Sequence, residues 1–130
     1  MEKAKVYFTS KVTPKDMIEI YEKLGVKLTG KVAVKLHSGE KGNQNYLRPE
    51  FVKEIVKYVN GTVVECNTAY GGARNTSEKH KELLKKHGWN KYFDVDLMDE
   101  EGPDKVLKIE NGKVYINGNE LEEKYLQAGV

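Results

Sequence analysis

Residues 65–80, ECNTAYGGARNTSEKH, bring together the only cysteine, a Gly71-Gly72 pair, one of the two arginines and a helix-start signal. Such a loop suits an anion. Gly71 and Gly72 let the backbone approach a ligand closely, Asn75 or Thr76 can cap the next helix, and that helix's N-terminus carries partial positive charge. Arg74 stands just before the cap, with a planar guanidinium suited to a carboxylate or phosphate. The spacing is neither GxGxxG nor GxxxxGK followed by Ser or Thr, so no nucleotide is assigned. A glycine turn ahead of a capped helix fits the same residues, and both readings stay open.

A second group follows the strand KVAVKLHS. Alternation sets Lys35 and His37 on one face and Val34 and Leu36 on the other. A charged lysine in a strand is costly to bury without a partner, so Lys35 is expected at an open face or against a carboxylate such as Glu65. Lys35, His37, Asn45 and Arg48 would then form a partly cationic wall beside Arg74; a salt bridge with a solvated loop is the alternative. His80 and His87 share a helix face with Leu83 and Leu84, but seven residues span about 10 Å, too far for one metal. Packing or a solvated edge is the expectation there. Asp94, Asp96, Asp99, Glu100, Glu101 and Asp104 form an acidic cluster without the calcium-loop pattern, and are expected to be a solvated strand end. Cys66 is expected to be a packing residue unless a helix dipole activates it. No Ser/His/Asp order or catalytic carboxylate pair stands out.

These residues need a scaffold, and the chain alternates strand-like and helix-like segments. AKVYFTS reads as a strand. TPKDMIEIYEKLG follows as a helix with Thr13 at the N-cap, Pro14 at N1, an apolar face of Met17, Ile20, Tyr21 and Leu24, and Gly25 as its stop. KVAVKLHS is a second strand, and RPEFVKEIVKYVNG a second helix with Pro49 in its first turn. GTVVECN is a third strand, apolar enough to be buried on both faces, and SEKHKELLKKHG a third helix. YFDVDLMDE alternates as a fourth strand. VLKIENGKVYING is a hairpin about a type I′ Asn111-Gly112 turn, pairing Glu110 with Lys113, Ile109 with Val114 and Leu107 with Ile116. ELEEKYLQAGV is expected to be a short helix. The fold class is therefore α/β: a small, mostly parallel sheet with flanking helices in the order βαβαβαβ, plus a C-terminal β-hairpin. Ligands bind such sheets at the carboxyl ends of the strands. The two long Gly/Asn-rich loops after the second and third strands lie there.

Composition bounds the rest. At 130 residues and 14.8 kDa, with no internal linker, the chain is expected to be one domain. With 22 basic and 20 acidic residues spread along the chain, it lacks the clustered basic face of a nucleic-acid binder. No run approaches the roughly 18 apolar residues of a membrane span, and MEKAKVYFTS lacks the apolar core of a secretory signal, so the expected compartment is the cytoplasm. A single cysteine cannot form an internal disulfide or hold an ordinary iron–sulfur cluster, so no cofactor is expected in this chain.

Taken together, KVAVKLHSGE, NYLRPEFVKEIV, GTVVECNTAYGGARNTSEKH, HGW and DVDLMDEEG resemble the amino-terminal part of the domain of unknown function 362 family, over residues 3–104. Members are often labelled uncharacterised iron–sulfur centre proteins. The resemblance implies an α/β domain with shared polar residues at the ends of the second and third strands. Here these are Lys35, Gly39, Glu40, Asn45, Pro49, Glu50, Glu65, Asn67, Tyr70, Gly71, Arg74 and Thr76. It also implies a second half with a His-Phe-Lys-Gly-His segment, a Gly-rich run and, in many members, a cysteine cluster. This sequence has none of these, so it resembles half of a larger domain.

Three functions are open. The loops after strands two and three hold a small anionic ligand through Lys35, His37, Asn45, Arg48, Glu65, Asn67, Tyr70, Gly71, Gly72, Arg74 and Thr76. Alternatively, the chain is a redox-linked enzyme that borrows an external iron–sulfur partner, as the family label implies. The third is an assembly module, a homodimer through the hairpin or an edge strand. The residues do not decide whether any reaction is catalysed.

Overall fold

The computed structural model describes residues 3–101, 107–116 and 119–120. Its contacts divide the chain into two compact units, Met1–Glu100 and Glu101–Val130.

In the first unit, helix α1 (Pro14–Lys23) starts where local chemistry places it. Thr13 is extended at the N-cap and its hydroxyl accepts from the Asp16 amide, while Pro14 pre-sets the first turn. Gly25, at φ +67°, ends it. α2 (Pro49–Tyr58) begins on Pro49, and α3 (Ser77–Lys86) is capped by Thr76, whose hydroxyl accepts from the Lys79 amide. Three short parallel strands lie in the order β1 (Val32–Lys35), β2 (Gly61–Glu65), β3 (Asp96–Leu97). Val34 is level with Val63 and Lys35 with Val64 across the first pair; Glu65 is level with Leu97 across the second.

The core joins Val52 and Val56 of α2, Val63 of β2, Leu84 of α3, Trp89 and Leu97, with Val34, Leu36, Phe93 and Val95 packed against it. Trp89 is fully buried in a single turn of 3-10 helix, Trp89–Lys91. Truncating so large a buried ring typically costs about 3–5 kcal/mol. α1 buries no residue completely. It rests on α2, where Tyr21 meets Tyr58 edge-on at 6.2 Å and the Tyr58 hydroxyl donates to Glu22.

Two strand expectations are corrected. Residues 3–9 form no strand: Val6 is 88% and Phe8 86% exposed, and β1 has no described partner on its outer side. β-rich composition makes a strand only where a partner ladder is available. The fourth strand shrinks to Asp96–Leu97, because β2 offers it only Val64 and Glu65, while Phe93 and Val95 reach the core from irregular chain. The observed order is αβαβαβ followed by the C-terminal strands, still an α/β fold with a mostly parallel sheet.

The second unit is antiparallel. β4 (Leu107–Glu110) and β5 (Lys113–Ile116) pair in the expected register, Glu110 with Lys113, Ile109 with Val114 and Leu107 with Ile116. Asn111 at φ +50° and Gly112 at φ +75° supply the left-handed pair of a type I′ turn. A further strand, β6 (Asn119–Glu120), pairs with β5. The expected terminal helix lies outside the described residues, apart from Glu120, which belongs to β6. Asp104 of the acidic cluster also lies outside them.

Candidate functional site

The site is built at the carboxyl ends of β1 and β2, by the loops that follow them. Its centre is Glu65, the last residue of β2 and 1% exposed. A buried carboxylate needs its lone pairs filled. Oε2 accepts from the Lys35 ammonium at 2.9 Å and from the Cys66 amide at 3.2 Å; Oε1 accepts from the Ser38 amide at 2.8 Å and from Arg74 Nη1 at 3.4 Å. Lys35 therefore meets the carboxylate expected of it. Burial pushes the Glu65 carboxyl up, but the Lys35 ammonium and the Ser38 and Cys66 amides outweigh this and hold it below its ordinary value of 4.5.

Arg74 is 5% exposed and faces inward. Its Nε donates to Glu40 Oε1 at 2.9 Å, Nη2 closes the fork on the same oxygen, and Nη2 also lies 3.3 Å from the Tyr70 hydroxyl and 3.2 Å from His37 Nε2. Tyr70 in turn donates to Glu40 Oε1. The Arg74 guanidinium, with help from Tyr70, holds Glu40 below its usual carboxylate range. Burial alone would lower Arg74, yet the Glu40 bond raises it further above its already high value. The Arg74 carbonyl accepts from the Thr68 amide at 2.8 Å, so the loop 68–74 closes on itself. The side chain that sequence alone aims at a ligand thus binds the protein's own carboxylates.

Beneath this layer lies a second network. Asn67 Nδ2 donates to Ser77 Oγ at 2.9 Å, which turns its Oδ1 toward His80 Nδ1 at 3.2 Å. His80 Nδ1 is then the donor, and Nε2 accepts from the Ser38 hydroxyl at 3.3 Å. The order Ser–His–Asn resembles a nucleophile with its base, but Ser38 and His80 are both fully buried, so the chain of bonds is structural. Burial lowers the His80 pKa below its ordinary 6.5 and keeps it neutral. The Asn67 amide donates to both oxygens of Asp99, at 2.9 and 3.0 Å. The Ser38 carbonyl accepts from Trp89 Nε1 at 3.0 Å and from His87 Nδ1 at 3.1 Å. Gly39 follows at φ +98°, and a Cβ there would come within 2.6 Å of the Tyr46 ring, which stacks on His87.

Lys35, His37, Glu65, Tyr70 and Arg74 are brought together, with Asn67 in the layer below and Thr76 capping α3. Asn45 and Arg48 are not. Arg48 precedes Pro49 at the start of α2, lies over the Tyr46 ring at 4.2 Å and donates to Gln44, so the expected cationic wall lacks it. The Asn45 amide closes a local turn on Asn43. Gly71 and Gly72 are exposed, with nothing within 4 Å of a Cβ at either, so no steric demand of the turn explains them. Cys66 is half-buried; burial and then Asp99 push its thiol up, so it is not activated. Of the acidic cluster, Asp99 serves the Asn67 amide and Glu100 pairs with Lys81.

Sequence reasoning missed Ser38 and Trp89 and named Glu40 only through the resemblance. A carboxylate inside the glycine-rich loop GEKGN, and the chain's single tryptophan after His87-Gly88, are the signals that point to two of them.

A cleft of about 570 Å³ opens beside this network, between Lys41 of the loop after β1, Gly72 and Ala73 of the loop after β2, and the α3 face carrying Lys79, Glu82, Leu83 and Lys86. Lys79 donates to Asn75, while Lys41 and Lys86 make no ion pair among the described residues. No helix among the described residues is long and apolar enough to cross a membrane.

No curated protein and no solved structure matches the chain. A family model matches residues 32–130, so the matched span starts at β1 and reaches the last residue, where the resemblance had suggested 3–104. On that match the chain belongs to the family described as domain of unknown function (DUF362).

Proposed function

We propose that this chain is a binding domain whose loops after β1 and β2 hold a small anionic ligand. One observation carries the reading: three lysines, Lys41, Lys79 and Lys86, line a single cleft against one carboxylate, Glu82, directly beside the open Gly71-Gly72 turn. The position is the one at which parallel sheets present their ligand loops. In this reading Glu65 does not grip the ligand. Paired with Arg74, it fixes the two loops that do, and the ammonium groups supply attraction that salt weakens. Calorimetric titration with inorganic phosphate and with acetate tests it. Lys41→Glu with Lys86→Glu, both at exposed positions, should abolish the binding. Equal binding by parent and double variant removes the cleft from consideration.

A second reading, a homodimer, draws on the exposed apolar side chains of Val6, Tyr7, Phe8 and Val12 and on the outer edge of β1, which no strand pairs among the described residues. Sedimentation equilibrium at micromolar concentration tests it; a monomer mass removes it.

A further inference from the structure

His37 is caught between two donors. The Gly39 amide donates to His37 Nδ1 at 3.1 Å, and Arg74 Nη2 lies 3.2 Å from His37 Nε2. A neutral imidazole has one N–H and one lone pair, so it accepts at one nitrogen only. With Nδ1 accepting from Gly39, the proton sits on Nε2 and points toward a guanidinium that has no lone pair to offer. The other tautomer only moves the conflict to the Gly39 amide, 3.1 Å from Nδ1. Protonation of the ring makes both contacts donor against donor.

Arg74 cannot turn away. Its Nε and one hydrogen of Nη2 are held by Glu40, and Nη1 reaches Glu65. The second Nη2 hydrogen donates to the Tyr70 hydroxyl at a long 3.3 Å and lies beside His37. Two N–H groups, one on an exposed ring and one on a buried cation, therefore lie side by side, and among the described residues no acceptor serves both. We propose that His37 Nε2 and Arg74 Nη2 together hold one oxygen of a carboxylate or phosphate group. An oxygen with two lone pairs placed on both donors removes the conflict, and a negative one gains charge-assisted bonds to each. The inference rests on the reading that these loops bind an anion, and adds where one of its oxygens sits.

The test reads the ring directly. Long-range ¹H–¹⁵N correlation of the parent protein at about pH 8, above the ordinary imidazole range, reports each histidine's tautomer. His37 should carry its proton on Nε2. Titration with sodium phosphate and, separately, sodium acetate should move the His37 Nε2 signal while His80 stays still, and the anion that moves it identifies the group. His37→Phe should weaken calorimetric binding of that anion about tenfold or more. Binding heat that Lys86→Glu abolishes, with His37 unmoved at saturation, overturns this seat and leaves the cleft reading intact. A proton on Nδ1 of His37 also overturns the seat. No heat with either anion overturns both.

Discussion

Glu65 and Arg74 stand nine residues apart in sequence, and Oε1 and Nη1 meet at 3.4 Å, both side chains buried at the end of β2. Lys35, Ser38 and Cys66 converge on the carboxylate, and Glu40, Tyr70 and His37 on the guanidinium. The pair joins the loop after β1 to the loop after β2.

Removing one side of such a pair leaves the other charge buried and short of partners. Glu65→Ala and Arg74→Ala should each lower unfolding stability by about 3–5 kcal/mol. Glu65→Gln, which keeps an acceptor oxygen for Ser38, should cost less than Glu65→Ala. Urea unfolding measures all three, and a loss below about 1 kcal/mol for Glu65→Ala would show that water replaces the network.

The glycines of the two loops should behave oppositely. Gly39→Ala meets both a φ of +98° and the Tyr46 ring at 2.6 Å, and should destabilise the chain by at least about 1–3 kcal/mol. Gly71→Ala and Gly72→Ala meet no atom within 4 Å and should be neutral or stabilise by up to about 1 kcal/mol through the unfolded chain. If the proposed function holds, the same two substitutions weaken anion binding. Thermal melts with and without phosphate separate the two effects.

Acid should act through His80 first. Its folded pKa lies below 6.5, so between that lowered value and 6.5 the unfolded chain binds a proton that the folded chain refuses. Stability is full above about pH 6.5 and falls as pH drops through this window, by at most about 1.4 kcal/mol per pH unit from this residue. Below the ordinary carboxylate value of 4.5, Glu65 and Glu40 add a second loss, because their folded pKa values are lowered. Denaturant midpoints from pH 4 to 8 check the profile. His80→Gln should flatten its upper part, and an unchanged slope there would rule out His80 as its source.

The helices were legible because their signals are local. Thr13, Thr76, Pro14 and Pro49 act within one turn of where they stand, and the Asn111-Gly112 turn sets the hairpin register by itself. The strands were less so: Val6, Tyr7 and Phe8 have the composition of a strand, but pairing depends on a distant edge. The Lys35–Glu65 contact was readable because a lysine in a strand creates a demand that few residues can meet. The packing role of His80 was legible in its helical spacing with Leu83 and Leu84, but Ser38 and Trp89 were not, since their roles appear only when the ends of β1, α3 and the 3-10 turn converge. The inward pairing of Arg74 was not legible either. Its charge is conspicuous in sequence, while its inward direction is set by Glu40 and Glu65.

α1 buries no residue and rests on α2 through Tyr21, Tyr58 and Glu22. Its amide hydrogens are therefore guarded by the weakest part of the first unit. They should exchange with deuterium through a local opening, well ahead of those in α2 and β2, whose release requires the core around Trp89 to come apart. Within the first unit, α1 is expected to loosen ahead of α2 and β2, with the Glu65–Arg74 junction still closed.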